Sequence, residues 1–355
     1  MGSYLSASPR VPKSTPVPES TAAPKMPIYD FNIAIVGAGI GGLGFAIGLS
    51  RMGVPFTIYE SAHAFSAVGA GVGLGPNALR AMDLIDSRFR KMYMDIATGN
   101  LKPEKKHVMM EAMLLEEGLG EGESWWGHGE WGSKNFTRTG AHRKDLLDIM
   151  TSFMPRDAVQ FNKRVASMTQ EGDVVTLRFQ DGEVAQHAAV VASDGVKGLS
   201  RKIVLADEYP GAVEPVYTGK YVYRAIVPME DAKEILGDLA TDAKMYMGKG
   251  VYIATYPISE GAQMNVVVFK RGSEPWKHPD FTHQVSREEM LEDMLMDKPD
   301  KRLMKLLDVS LLLFLHWYGY TTFRRSFRHG YHELQQTLSR SSKPIPQHTN
   351  TNAVG

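Results

Sequence analysis

The most specific chemical signal in this 355-residue sequence is a set of three glycines, Gly37, Gly39 and Gly42. They follow a short apolar run, Phe31 to Val36, which reads as a buried parallel strand, and they open the apolar segment Leu43 to Met52, which reads as a helix stopped by Gly53. A glycine triplet alone is only a common turn. Between a strand and a helix, Gly37 permits the tight turn, Gly39 lets the backbone approach a pyrophosphate, and Gly42 lets helix and strand pack closely; the helix N-terminus then stabilises the phosphate charge. Val54 to Tyr59 is the second strand and ends at Glu60. A carboxylate there accepts from both hydroxyls of an adenosine ribose and repels a 2′-phosphate, so the site takes FAD or NAD rather than NADP.

Other residues admit two readings each. Arg143, on a helix read from His142 to Met150, either aims its guanidinium at a pyrophosphate or is a surface arginine. Asp194 and Gly195 follow the buried strand Ala188 to Ala192, where a carboxylate is costly unless partnered; the plain alternative is a turn-forming pair. Arg224 and Tyr256 fall in a strand-rich stretch between Tyr217 and Lys270, as site residues or as an exposed strand arginine and a core tyrosine. Trp125, Trp126 and Trp131 lie in a glycine-rich loop excursion, 116–136, and either wall an aromatic pocket or pack the loop onto its domain. His329 and His332 have a metal-like spacing without further ligands nearby, so no metal site is expected.

The elements that must hold these residues come from an ordinary globular composition, 43% hydrophobic and 23% charged. Forty Lys and Arg balance forty Asp and Glu, which leaves no basic field for nucleic acid. Cysteine is absent, which removes disulfides, thiolate metal sites and cysteine nucleophiles. No apolar run approaches a bilayer span, and a cytoplasmic location is expected. Residues 1–28 are Pro- and Ser-rich and read as a disordered tail. A cofactor domain is expected over 29–210, a substrate domain over 211–307, and an atypical basic tail over 308–355.

Three blocks resemble the group A FAD-dependent aromatic monooxygenases of the salicylate and p-hydroxybenzoate hydroxylase type, and most closely the fungal hydroxylases of phenolic polyketides. They are Gly37 to Glu60 with its continuation Val68-Gly-Ala-Gly-Val-Gly-Leu-Gly-Pro-Asn-Ala-Leu79; His142-Arg-Lys-Asp-Leu-Leu147; and Ala192-Ser-Asp-Gly-Val-Lys-Gly-Leu-Ser-Arg201. The resemblance runs on through Tyr223 to Pro228 and Ala254 to Ile258. It implies an α/β fold, a Rossmann-like FAD-binding domain interleaved with a mixed-sheet substrate domain. It also implies an enzyme that hydroxylates a phenolic ring with NAD(P)H and O₂, in secondary metabolism or aromatic degradation. On this resemblance Gly37, Gly39, Gly42, Glu60, Gly71, Arg143, Asp194 and Gly195 bind the cofactor, while Arg224 and Tyr256 line the substrate pocket and favour the substrate phenolate.

Members of that family carry, after the substrate domain, a strand ending in Gly-Asp that closes over the flavin. Gly237-Asp238 lies in a helical stretch and is not its counterpart. The sequence therefore reads as C-terminally truncated. That keeps a second expectation open, a non-catalytic remnant that binds FAD weakly or not at all. A third, an NAD-dependent dehydrogenase, lacks any residue assignable to proton relay.

Overall fold

The structure, a computed structural model, describes residues 29–65, 71–116, 129–272, 275–276, 282–294, 299–310 and 314–318. The expected N-terminal tail, Trp125, Trp126, His329 and His332 lie outside them.

Its first layer is the predicted βαβ unit: β1 (Ile33–Val36), α1 (Ile40–Met52) and β2 (Phe56–Tyr59). Ile33 to Val36 is apolar throughout because both faces are covered, so no alternation is needed. Gly53, at φ +70, takes the left-handed cap that ends α1. Further along the chain come β3 (Gly71–Gly73), α2 (Pro76–Ile85), α3 (Ser87–Ile96), β4 (Val108–Leu114), β5 (Glu130–Gly132), β6 (Gly140–His142), α4 (Arg143–Thr151) and β7 (Val159–Gln160). The chain continues through β8 (Val165–Glu171), β9 (Val174–Phe179), β10 (Val184–His187), β11 (Ala189–Ala192) and α5 (Leu199–Leu205).

A parallel sheet, ordered β11-β1-β2-β7, lies between two covers. On one side α1, α3 and α4 form a core of Leu43, Ile47, Tyr93, Leu146 and Met150. On the other, the antiparallel sheet β10-β9-β8 presses Leu177 and Phe179 onto Ala34, Val36 and Tyr59. Asp181-Gly182 makes the turn between β9 and β10, with Gly182 at φ +90. A second Gly-Asp pair, Gly172-Asp173, is the turn between β8 and β9 and is likewise not the family's counterpart.

The remaining strands are β12 (Lys220–Pro228), β13 (Lys244–Met247), β14 (Val251–Ile258), β15 (Gln263–Arg271), β16 (Thr282–Gln284) and β17 (Phe314–Tyr318). Among the described residues they join β4 and β5 in one mixed sheet, ordered β16-β17-β12-β15-β14-β13-β4-β5. Two pieces of chain differ from the expected partition. β4 and β5 come from the range assigned to the cofactor domain, and β17 comes from the range assigned to the tail. A strand pairs where tertiary neighbours offer it an edge, which local sequence does not record.

One face of this sheet is covered by α6 (Met229–Leu236), α7 (Arg287–Asp293) and α8 (Lys301–Asp308) over Val227, Tyr246, Ile253 and Val266. The helical stretch expected around Gly237-Asp238 ends as an α-helix at Leu236, because Gly237, at φ +59, leaves the helical region. Ser286 caps α7 by accepting from the Glu289 N–H at 3.0 Å, as its spacing predicts, and a second helix starts separately after Pro299, capped by Asp300. Among the described residues no helix is long and apolar enough to cross a membrane, and no group of His, Asp or Glu side chains is placed to hold a metal ion.

Asp293, at the end of α7, fastens that helix to the sheet. It accepts from Tyr221 and Tyr223, each at 2.7 Å, and from Lys270 at 2.7 Å. Burial pushes its carboxyl up, but these three donors outweigh that and hold it below the usual carboxylate range. Its stabilising contribution is therefore present above the ordinary Asp value of about 3.9 and is lost as pH falls through the lower folded value. Asp293→Asn should cost about 1–2 kcal/mol at neutral pH in urea unfolding. The difference from wild type should shrink toward about pH 2, and one that persisted there undiminished would show that charge is not what holds α7.

Candidate functional site

The glycine turn is built where three backbone segments meet. Gly37 has φ +102, and a Cβ on it would collide with the Ser193 carbonyl at the end of β11. A Cβ on Gly42 would collide with the Gly37 carbonyl, so the first turn of α1 sits directly on the loop. Gly39 differs: nothing lies within 4 Å of where its Cβ would be. It is the N-cap of α1, with no side-chain cap and no acidic residue in the first turn. This is a helix N-terminus with open space before it, which suits a phosphate.

Glu60 is placed beside that space by the β2 ladder. Its Oε2 accepts from the Ala38 N–H at 2.8 Å inside the glycine turn, and its Oε1 accepts from the Ala62 N–H at 2.8 Å. Those bonds fix the carboxylate at the rim. Beneath it, Tyr59 shares a 2.8 Å hydrogen bond with Nε2 of the buried His187, whose imidazolium form burial disfavours.

Asp194 closes the opposite side. Its Oδ2 accepts from both the N–H and the hydroxyl of Ser200, at 3.0 and 2.9 Å, so the carboxylate has the partners that its strand-end position demands. It fills the space above Gly198, and Gly195, at φ +80, turns the chain around it. Arg201 donates through Nε to the carbonyls of Ala212 and Val213 and ties that loop to the chain beyond α5. Gly37, Gly39, Glu60, Asp194 and Gly195 thus line one cleft of about 760 Å³. Lys163 lies on its wall, ion-paired to Asp181 and Glu183; the sequence reading missed it because its partners arrive from the β9–β10 turn.

Gly71, Arg143 and Tyr256 belong to a second junction. Gly71 pairs with His142 across β3 and β6, which puts it one residue from Arg143 at the start of α4. Both polar groups of Gly71 are taken by the large sheet. Its N–H donates to Oδ1 of the fully buried Asn265 at 2.8 Å, and its carbonyl accepts from the Tyr256 hydroxyl at 3.1 Å. A Cβ at Gly71 would press on Ile258 and Asn265. Asn265 is the cross-strand partner of Tyr256, and Arg138 lies with its guanidinium 4.8 Å from the centre of the Tyr256 ring. Neither Asn265 nor Arg138 carried a sequence signal, since each acts on residues far away in the chain.

Arg224 is paired with Val267 on β15, and Tyr256 with Asn265 two residues away on the same strand. The period of two therefore puts Arg224, Tyr256, Ala254 and Val267 on one face of the sheet, the face away from α6 and α8. Burial pushes the Tyr256 hydroxyl up, and the nearby charges of Arg138 and Arg224 pull it back only in part.

Comparison with known proteins agrees with this architecture. Residues 72–210 match a family described as flavin containing amine oxidoreductase. The chain is 43% identical over 281 residues to an FAD-dependent monooxygenase of Gibberella moniliformis, covering 78% of this chain and 64% of that protein. It is 35% identical over 272 residues to a 6-methylsalicylate 1-monooxygenase of Aspergillus terreus, covering 74% and 59%. The chain thus spans about three fifths of the length of these relatives. A solved salicylate hydroxylase substrate complex shares the fold, with a TM-score of 0.66 at 22% identity over 81% of this chain and 68% of that one.

Two glycines of the turn should behave oppositely. Gly39→Ala has room for its methyl, so the apoprotein should melt as wild type does while FAD affinity falls at least about tenfold. Gly42→Ala has no room and should lose about 1–3 kcal/mol of stability. Thermal unfolding and fluorescence titration with FAD separate the two, and equal losses of stability would contradict the assignment.

Proposed function

We propose that this homologue of the fungal FAD-dependent monooxygenases is itself a flavin-dependent hydroxylase of phenolic rings, drawing on NAD(P)H and O₂ in the cytoplasm. The observation that carries the reading is the pairing of a dinucleotide cleft with a separate sheet face bearing a cation and a phenol, Arg224 and Tyr256.

The residues fit FAD. Gly39 leaves space for a pyrophosphate at the N-terminus of α1, Glu60 is held at the rim of the cleft, from which it would accept from a ribose, and Asp194 and Gly195 border the same cleft. Arg143, at the first turn of α4 beside the Gly71–His142 pair, is the cation assigned to the cofactor's phosphates or ribityl chain. When bound and reduced, the flavin supplies the activation of O₂ that protein side chains do not provide.

The chain's own residues act on the substrate. A phenol is activated for attack at its ortho and para carbons when it is held as phenolate, and the Arg224 guanidinium favours that charge. Tyr256 offers the second contact. Its hydroxyl donates to the neutral Gly71 carbonyl, and an anionic oxygen is a stronger acceptor, so a phenolate draws that hydrogen bond to itself. The apolar neighbours on this face, Val222, Ile226, Ala254 and Val267, hold the ring and keep water out.

The purified protein should show flavin absorbance and form hydroxylated product from salicylate with NAD(P)H, and a protein without flavin bands would favour the non-catalytic reading. Glu60→Ala should lose flavin. Arg224→Ala and Tyr256→Phe should keep it and lose about a hundredfold or more in product per bound flavin. Loss of flavin in these two, with turnover per flavin unchanged, would move both residues to the cofactor site.

A further inference from the structure

Arg138 stands on the strap that leads into β6 and is only 5% exposed. Its backbone N–H donates to the Lys106 carbonyl at 3.0 Å, and its Nη1 donates to the Met109 carbonyl at 2.8 Å. The ionisable groups that bear on it among the described residues are two phenols, Tyr256 and Tyr93, whose hydroxyls burial keeps protonated. Burial alone lowers the proton affinity of this guanidinium. A buried cation kept without an acid is expensive, and a residue of similar volume without charge would pack the same space at less cost.

The groups around Tyr256 show what the charge is for. Arg138 covers its ring from the strap, Arg224 acts on it from β12, and the Gly71 carbonyl of β3 receives its hydroxyl. Tyr93 of α3 reaches the same strap, donating to the Thr139 hydroxyl at 3.1 Å, while Thr139 donates to the Leu74 carbonyl. Arg138 is therefore locked at both its backbone and its guanidinium, against a ring that is itself locked.

We propose that Arg138 is a positioning residue for phenol hydroxylation, which holds the Tyr256 ring by a cation–π contact and makes its hydroxyl a better donor to a substrate phenolate. The proposal rests on the phenol-hydroxylase reading above. Two cations thus serve one phenol differently: Arg224 stands on the substrate face, and Arg138, enclosed in the protein, acts through Tyr256. A phenolate accepts the Tyr256 proton as a hydrogen bond without taking it, and a positive charge against the ring strengthens that donation. No covalent step is involved.

The test uses 4-nitrophenol, whose bound ionisation is read from its visible absorbance as pH is varied, with the full chain supplemented with FAD. Wild type should lower the apparent pKa of the bound probe, and Arg138→Met should raise it again by about one unit, a tenfold loss of phenolate at fixed pH. Arg138→Lys, which keeps the charge but not the stacked plane, should recover part of the shift. The effect should vanish in a Tyr256→Phe background, so Arg138→Lys and Tyr256→Phe combine non-additively. Flavin content and melting temperature report any purely structural damage, which would not move the probe's ionisation. Should Arg138→Met fail to fold, the Lys and Phe variants and their combination still decide the matter. Additive effects, or an unshifted pKa in the Arg138 variants, would overturn the proposal and leave the phenol site standing. A wild-type chain that neither binds nor ionises the probe would overturn the phenol reading and this proposal with it.

Discussion

Space at the glycine turn is the constraint on which the molecule depends. The end of β1, the end of β11 and the first turn of α1 converge so closely that a single methyl at Gly37 or Gly42 has nowhere to go. The parallel ladder brings them there: the Gly37 N–H continues the hydrogen bonding to the Tyr59 carbonyl, and the Ser193 N–H does the same to Val36. Because those ladders fix the strand ends, Glu60 and Asp194 arrive at the same cleft from opposite sides although 134 residues separate them in sequence (194 − 60). Closeness below and openness above are both required. The turn is packed against its own sheet at Gly37 and Gly42, and it leaves one face bare at Gly39.

A second coupling joins this cleft to the large sheet. A single peptide of β3, that of Gly71, gives its N–H to Asn265 and receives Tyr256 on its carbonyl. Two buried side chains of β14 and β15 thereby satisfy a strand that has only β6 as its backbone partner among the described residues. His142, paired with Gly71, ends β6, and the next residue, Arg143, begins α4. A shift of Tyr256 is thus a shift of the strand pair that leads into α4, so the side chain read as touching substrate and the arginine read as touching cofactor share one short chain of contacts.

How much of this was legible in the sequence follows from the range of each interaction. Gly37, Gly39, Gly42 and Glu60 act within one βαβ unit, where spacing and chemistry are written side by side, and the structure gathers Gly37, Gly39 and Glu60 with Asp194 and Gly195 in one cleft, Gly42 packing beneath it. Local turn chemistry was also readable at Gly53, which caps α1 in the left-handed region. The membership of β4, β5 and β17 in the large sheet was not, because an edge offered by a distant strand leaves no trace in local periodicity. The bond between Gly71 and Asn265 spans 194 residues, and Arg138 stands between the loop excursion 116–136 and the helix from His142, in a stretch with no sequence signal. Residues whose meaning lies wholly in distant partners stay silent until the fold is known.

Arg138 also shows how energetics separates structural from functional burial. Taking a guanidinium out of water costs several kcal/mol after relaxation. Its cation–π contact with Tyr256 returns about 2 kcal/mol and its charged hydrogen bond to the Met109 carbonyl about 1.5–3 kcal/mol, so the balance comes out near zero. Asn265 is different: its Oδ1 satisfies the buried Gly71 N–H that would otherwise be orphaned, which offsets the cost of an Nδ2 that has no hydrogen-bond partner among the described residues. An arginine that adds no net stability in a site an apolar side chain could fill leaves its charge as the property to be explained, and the proposed positioning of Tyr256 is a use for it. The group on which that charge bears most closely is the hydroxyl-bearing ring of Tyr256.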